Sequence, residues 1–425
     1  MKRLIAVCFS IVFTLCFALA LVACGGGDSK NKIVFACNSG YLLDFQERIE
    51  EFNKIYPDIE VEIQAINAGS WGEMLQTIST DIASGVGPDI ADIASEGMYV
   101  FAKSGLLEPL DSYIERDQEE LAESLNAMDE NLRNAHVIDG ATYSLPTVWN
   151  NMCIYYNKNV LDAAGLDYPE EGWTTQDFLT MCQKVAEDNT GGNNDVYGYA
   201  FYNAYFTTIE PWLYAFGASI LNDDWTASGL GDEAAGEAWQ FLYDLINTYK
   251  VSPKLGTSDV DLFVQNRLAF MGSGLWYVEN LRNMDFPVED YGVVPFPSVD
   301  GTLRSVIGVG GAPIFKASKN KEAAWTLAKF LSSKKFQEEY LTESIWAIPA
   351  VKTAADIIAQ KDDIPENADI FYESASYGRY VPAPAQYTAI ESEVLRDFGA
   401  YIAGIDTLET ALSKAVENIN LALME

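Results

Sequence analysis

Between Ile33 and Ala94 the hydrophobic period switches repeatedly, and this rhythm restricts the fold more than any other feature of the chain. Ile33 to Ala36 is a short apolar run suited to a buried strand. Leu42, Phe45, Ile49 and Phe52 then recur at helical spacing until Pro57-Asp58 stops the helix. Ile59, Val61, Ile63 and Ala65 alternate with polar residues, as in a strand with one buried face. Met74, Leu75, Ile78 and Ile82 share a second helical face, with Gly85 just past its end. After Gly87-Pro88, Asp89 to Ala94 reads as a third strand. Strand, helix, strand, helix, strand predicts a parallel α/β sheet whose loops at the carboxyl ends of the strands form a ligand crevice.

Further along, Trp173-Thr174-Thr175-Gln176-Asp177-Phe178 has the form of a helix start. Thr174 is the N-cap, Asp177 closes a capping box in place of Glu, and Trp173 staples onto Phe178. Helical faces recur at Trp239–Tyr249, Ala323–Leu331 and Leu408–Leu423, where Leu408, Leu412, Ala415 and Ile419 align. No internal repeat or low-complexity tract is present. A chain of 425 residues is too long for one compact core and suits two domains.

Leu21-Val22-Ala23-Cys24 follows a basic start (Lys2, Arg3) and a long apolar run, and Gly25, Gly26 and Gly27 come straight after. This resembles the lipobox of bacterial lipoproteins. The resemblance implies a signal peptide over residues 1–23, cleavage before Cys24, and a diacylglycerol thioether there, so that the mature chain carries acyl groups on an extracytoplasmic membrane face. Residues 24–31 read as a flexible tether. The competing reading is an uncleaved transmembrane anchor, since the apolar run is nearly long enough to span. Both put the body of the protein outside the cytoplasm.

The net charge is −35, and the first 23 residues contribute two bases and no acids. Such a surface repels nucleic acid and anionic lipid and disfavours a highly charged anionic substrate. Cys37, Cys153 and Cys182 are odd in number and lack CxxC spacing, which argues against a disulfide framework or zinc site. His136 is the single histidine, so a usual metal cluster has no anchor. No GxSxG, HExxH or Walker loop occurs, and adjacent acids such as Asp223-Asp224 are expected by chance among 62. No catalytic residue, metal or cofactor is therefore assigned.

Gly-Val-Gly-Pro-Asp-Ile (85–90), Leu106-Leu107-Glu108-Pro109-Leu110-Asp111, and Tyr143-Ser144-Leu145-Pro146 leading to Tyr155-Tyr156-Asn157-Lys158 occur in that order. Phe270-Met271-Gly272-Ser273-Gly274-Leu275-Trp276 and the Gly308–Pro313 stretch follow. The ordered set resembles family 1 extracellular solute-binding proteins, the sugar-binding group that includes maltose-binding protein. The resemblance implies a type II periplasmic-binding-protein fold, two α/β lobes joined by hinge strands near Trp149–Ile154, Val306–Gly311 and Ile345–Val351. It divides the chain into an N-terminal lobe (32–148 plus 308–343) and a C-terminal lobe (149–307 plus 344–425). It also implies a monomeric, non-enzymatic carbohydrate-binding component of an ABC importer, partnered by permease subunits.

Neutral sugars need flat aromatic rings for their C–H faces and planar polar groups for their hydroxyls. Of nine tryptophans, Trp173, Trp239 and Trp325 fit packing positions, and Trp225 in its polar loop has no assignment. Trp71, Trp149, Trp212, Trp276 and Trp346 adjoin loop signals, and the family positions favour Trp276 and Trp149. Asn38, Ser39, Asp92, Glu96 and Asn150 are the polar candidates, with Gly310 and Gly311 offering backbone N–H groups and Arg379 a cation. A same-fold receptor for a glycerol phosphate or other small polar solute, and a secreted carbohydrate-active enzyme, are the alternatives. Few Lys or Arg in the expected cleft loops weigh against the glycerol phosphate.

Overall fold

The computed structural model describes residues 31–192, 195–342 and 345–424. The Leu21–Cys24 motif, and with it the signal and lipidation expectations, lies outside them. Asn31, expected as the last tether residue, instead opens the first strand.

Strands β1 (Asn31–Asn38), β2 (Ile59–Ile66) and β3 (Ile90–Ala91) form a parallel sheet in the order β2-β1-β3. The helices Leu42–Ile55 and Trp71–Ala83 connect them, as the period switches require. Phe45, Ile49 and Phe52 are buried as expected, and Arg48 is buried on the same face. Gly85 adopts φ 77°, the left-handed conformation that ends the second helix. The third strand is shorter than expected. Asp92 lies beyond it and the helix Ser95–Lys103 starts soon after, so this segment is mostly a strand exit.

Strands β4 (Val137–Ile138) and β5 (Ala141–Thr142) make a small hairpin, with Asp139 and Gly140 both at positive φ in its turn. Strand β6 (Pro146–Asn151) continues through Met152 into β7 (Cys153–Asn157) of a different sheet. There β7 joins β8 (Tyr197–Ala200), β9 (Leu268–Ser273) and β10 (Tyr291–Pro295) in the order β10-β7-β9-β8. Strands β11 (Val306–Gly311), β12 (Ile348–Pro349) and β13 (Arg379–Tyr380) assemble on β6 in the order β12-β6-β11-β13. The three segments expected to cross between lobes are therefore neighbours in one sheet.

Cores lie on either side of that sheet. Phe35, Phe45, Phe52 and Trp325 pack in one, with the helix Lys321–Ser332 returning after β11 to cover β1. Phe178, Trp212, Trp239 and Phe398 pack in another. Thr174 and Asp177 form the capping box, and the rings of Trp173 and Phe178 meet 5.6 Å apart. Trp239 and Trp325 are buried. In the last helix, Leu408–Ala422, Ala411, Ala415 and Ile419 face the core, while Leu408 and Leu412 flank it. Cys37, Cys153 and Cys182 are free and buried. No helix among the described residues is long and apolar enough to cross a membrane.

Strand β11 has one edge paired with β6, but β13 covers only Val306 and Ile307 on the other. An uncovered strand edge exposes backbone groups that need partners. Ser95 supplies one, its Oγ accepting from the Val309 N–H at 2.8 Å and donating to the Val309 carbonyl at 3.2 Å. His136 Nε2 also meets that carbonyl at 3.0 Å. Gly311 N–H donates to the Ile93 carbonyl, and Ile93 N–H returns the bond, both at 3.0 Å. A Cβ on Gly311 would stand 2.3 Å from Ser144 Oγ, 2.8 Å from the Leu145 carbonyl and 2.9 Å from His136 Cε1. Gly311→Ala is thus expected to destabilise the fold by roughly 1–3 kcal/mol, against a smaller loss for Gly310→Ala, whose nearest contact is Val148 at 3.2 Å. Chemical denaturation of both variants measures the difference, and equal stabilities would contradict the account.

Candidate ligand cleft between the lobes

A cleft of about 580 Å³ opens beside the joining sheet. On the β1–β3 side it is lined by Gly40, Tyr41, Asp44, Trp71, Asp92, Ala94 and Glu96. On the opposite side stand Phe206, Thr207, Trp276, Glu279, Asn280 and Asn283. Val148, Trp149, Asn150, Gly308, Gly310 and Trp346 form its floor and rim. A separate hollow of about 750 Å³ lies among Met128, Lys352, Phe371 and Tyr372 and shares no lining residue with the cleft. The cleft combines aromatic residues and carboxylates from both sides of the joining sheet.

Trp276 is half-buried and begins the helix Trp276–Asn283. A Cβ on Gly274 would stand 2.1 Å from the indole Cζ3, so Gly274 makes room for the ring. Trp71 is the first helical residue after the Ser70 N-cap. Trp346 stacks on Tyr41, with centroids 4.6 Å apart and planes at 22°. Trp149 lines the cleft but is 1 % exposed and packs edge-on against Tyr372.

Several candidates lie elsewhere. Trp212 is fully buried, its indole N–H donating to Tyr199 Oη at 3.1 Å, because Phe178, Phe241 and Phe296 close around it. Asn38 shapes a turn, accepting from the Gly40 N–H and donating to the Ala68 carbonyl, and Ser39 reaches Asn67. Neither lines the cleft; the next residues, Gly40 and Tyr41, do. Gly311 spends its N–H on Ile93, while Gly310 does line the cleft. Arg379 is exposed, pairs with Asp223 at 3.6 Å and lies over Tyr214, away from the cleft. Trp225 meets Tyr99 edge-on at 5.4 Å.

The sequence reading missed Tyr41, Asp44, Phe206, Thr207, Glu279, Asn280 and Asn283. Phe206 and Thr207 sit on a π-helical turn, Tyr205–Ile209, a rare geometry that often marks functional sites and that no residue pattern announces. Glu279 and Asn283 lie three and seven positions after Trp276 and become legible once that residue is known to start a helix.

Arg48 is buried with its guanidinium 4.8 Å from the Phe45 centroid and 5.2 Å from that of Trp346. It offsets the charges of Asp44 and Asp92. Burial still pushes the Asp92 carboxyl up to about 7, with Arg48 opposing, and pushes Glu96 up to about 7, with Glu391 adding repulsion. Three buried polar atoms of cleft residues, Glu96 Oε2, Trp149 Nε1 and Asn150 Oδ1, have no hydrogen-bond partner among the described residues. Buried polar groups are overwhelmingly partnered in native proteins, so three such atoms on residues from the side and floor of one cleft suit completion by a polar ligand. No group of three or more potential metal ligands occurs among the described residues.

A carboxyl whose folded pKa is raised holds its proton where the unfolded chain has lost it, so stability falls as pH rises from about 4 to about 7. Asp92, Glu96 and the buried Glu210, also pushed up to about 7 by burial, all act in this sense. His136, pushed down to about 4 by burial, opposes them below its ordinary value near 6.5. The ligand-free melting temperature is expected to rise as pH is lowered from 8 to 6.5, with a shallower slope in Glu96→Gln. Calorimetry across that range checks both; an unchanged slope in the variant would show that Glu96 does not titrate there.

Residues 39–338 match the family model for bacterial extracellular solute-binding proteins. The maltotriose-binding protein of Pyrococcus abyssi is 26% identical over 346 residues, covering 80% of this chain and 70% of that protein. The galactooligosaccharide-binding protein of Bacillus subtilis is 24% identical, covering 81% of each. Among solved structures, an ABC substrate-binding protein of Listeria monocytogenes in complex with cycloalternan superposes with a TM-score of 0.81 at 25% identity, over 92% of this chain and 98% of that one. The family match spans most of the chain and the superposition shows the same two-lobed fold, so the chain belongs to the bacterial extracellular solute-binding proteins.

Proposed function

We propose that this protein is the substrate-binding component of an ABC importer that captures an oligosaccharide in the cleft and delivers it to a membrane permease. The observation that carries the reading is the lining itself. Tyr41, Trp71, Phe206, Trp276 and Trp346 line the same cleft as Glu96, Trp149 and Asn150, each of which holds a buried polar atom without a partner among the described residues. Pyranose rings present both complements, apolar C–H faces and hydroxyls that donate and accept. The volume falls in the usual range for small-molecule sites, about 300–1,000 Å³. Oligosaccharide receptors among the relatives support the same class. A phosphorylated solute is disfavoured because no lysine or arginine among the described residues lines the cleft.

Ligand contacts from both sides would favour a closed arrangement in proportion to their differential affinity, with the joining strands as the hinge. The chain divides on this reading at 148/149, 307/308 and 343/344. Anchorage through acylated Cys24 would hold the protein beside its permease.

Trp276→Ala is expected to weaken glycan binding at least about tenfold, since ring stacking and the lost buried contact add. Trp276→Phe should be milder, and the ligand-free fold should lose little stability. Trp212→Ala should behave oppositely, losing roughly 3–5 kcal/mol of stability. Titration calorimetry on a glycan panel, paired with thermal denaturation, separates the two; a Trp276→Ala protein that binds normally would remove that residue from the site. In cells, Cys24→Ala should accumulate as unprocessed precursor that takes up no labelled lipid, and normal acylation of the variant would refute the anchor.

A further inference from the structure

Four carboxylates, Asp44, Asp92, Glu96 and Glu279, line the cleft, and no lysine or arginine among the described residues does. They are not equivalent. Asp44 and Asp92 lie within the field of the buried Arg48. Glu96 has no such counter-charge. The residue is 3 % exposed, and Oε2 has no hydrogen-bond partner among the described residues. The titratable groups that face it are Glu391, Tyr387 and Tyr205, from the helix Tyr387–Ile402 and the π-helical turn. All are acids; Tyr387 donates its hydroxyl to Glu391 Oε1 at 2.7 Å. Glu279, in the first turn of Trp276–Asn283, adds negative charge from the opposite wall.

Resting on the glycan-binding reading above, we propose that the cleft selects glycans that carry a protonated amino group on a pyranose ring, with Glu96 and Glu279 as the specificity-determining counter-charges. A neutral glycan leaves a desolvated carboxylate without compensation, and closing over one is costly unless the group keeps its proton. An ammonium group instead forms charge-assisted hydrogen bonds with the carboxylate. The surrounding indole and phenol faces favour the same cation. A uronate or phosphorylated glycan meets like charge on both walls. The net charge of −35 also draws cations toward the protein at long range.

Proton linkage follows. Burial pushes the Glu96 carboxyl up to about 7 in the ligand-free cleft, and a neighbouring ammonium favours its ionised form, so cation binding near pH 6.5 releases a proton.

The test uses matched glycan sets of several linkages, each differing only in hydroxyl, acetamido, amino or carboxylate at one ring position. Titration calorimetry should give the amino member at least about tenfold tighter binding than its hydroxyl and acetamido counterparts, with no measurable binding of the carboxylate. Repeating the titration in buffers of different ionisation heat should show proton release with the amino member alone. Glu96→Gln and Glu279→Gln should each shrink the amino-to-hydroxyl affinity ratio, with a melting curve confirming that each variant is folded. Hydroxyl or acetamido members bound as tightly as the amino one, or a ratio unchanged in both variants, would overturn the selectivity while leaving the glycan reading intact. Failure of every member to bind would overturn the glycan reading itself, and this one with it.

Discussion

The antiparallel pairing of β6 with β11, and the closure of β11's other edge, is the constraint on which the rest of the molecule depends. Val309 lies opposite Trp149 in this ladder, while its own N–H and carbonyl turn to Ser95 and His136. In an antiparallel pair, alternate residues direct their backbone groups away from the partner strand, so a second set of acceptors and donors is required. Ser95 starts a helix behind β3 and His136 precedes β4, which ties the joining sheet to one lobe. On the far end, β6 runs on into β7 and the other lobe's sheet. The same few residues thus hold the lobes together and form the floor of the cleft, since Trp149, Asn150, Gly308 and Gly310 all belong to these strands.

Around that floor, charge is arranged asymmetrically. Arg48 is the cation beneath the cleft, placed on the buried face of the first helix and sandwiched near Phe45 and Trp346. It steadies Asp92 without reaching Glu96. The carboxyls of Asp92 and Glu96 are therefore both pushed upward, but for different reasons: Asp92 is desolvated beside a partner, and Glu96 is desolvated beside another acid. Leaving buried carboxylates uncompensated carries a free-energy penalty, a common feature of binding sites that are completed by their ligands.

The legible parts of the chain were those governed by local chemistry. The capping box at Thr174, the left-handed Gly85 and the helical face of Phe45, Ile49 and Phe52 follow from short-range rules, and the structure holds them as read, whereas the alternation expected of β2 ends with Ala65 exposed and Ile66 buried. Among site residues, Asp92 and Glu96 could be found because they leave a strand at its carboxyl end. Trp212 could not be told from Trp276 by its neighbours in sequence. Both adjoin loop signals, yet Trp212 is enclosed by aromatic rings from Phe178, Phe241 and Phe296, three separate stretches of the chain. Arg379 failed for the same reason, its partner Asp223 being far away in sequence.

What the sequence determined by itself is the alternation of strands and helices, and hence an α/β architecture with a crevice at the strand ends, because hydrophobic period and capping act over a few residues. It also determined the strongly acidic character that disfavours anionic partners. Only the tertiary structure decided which aromatics face the cleft, which glycines admit close packing and which carboxylates stand without a counter-charge. Those outcomes depend on contacts between segments tens to hundreds of residues apart, such as Ser95 with Val309 and Glu96 with Glu391, and no local pattern encodes them.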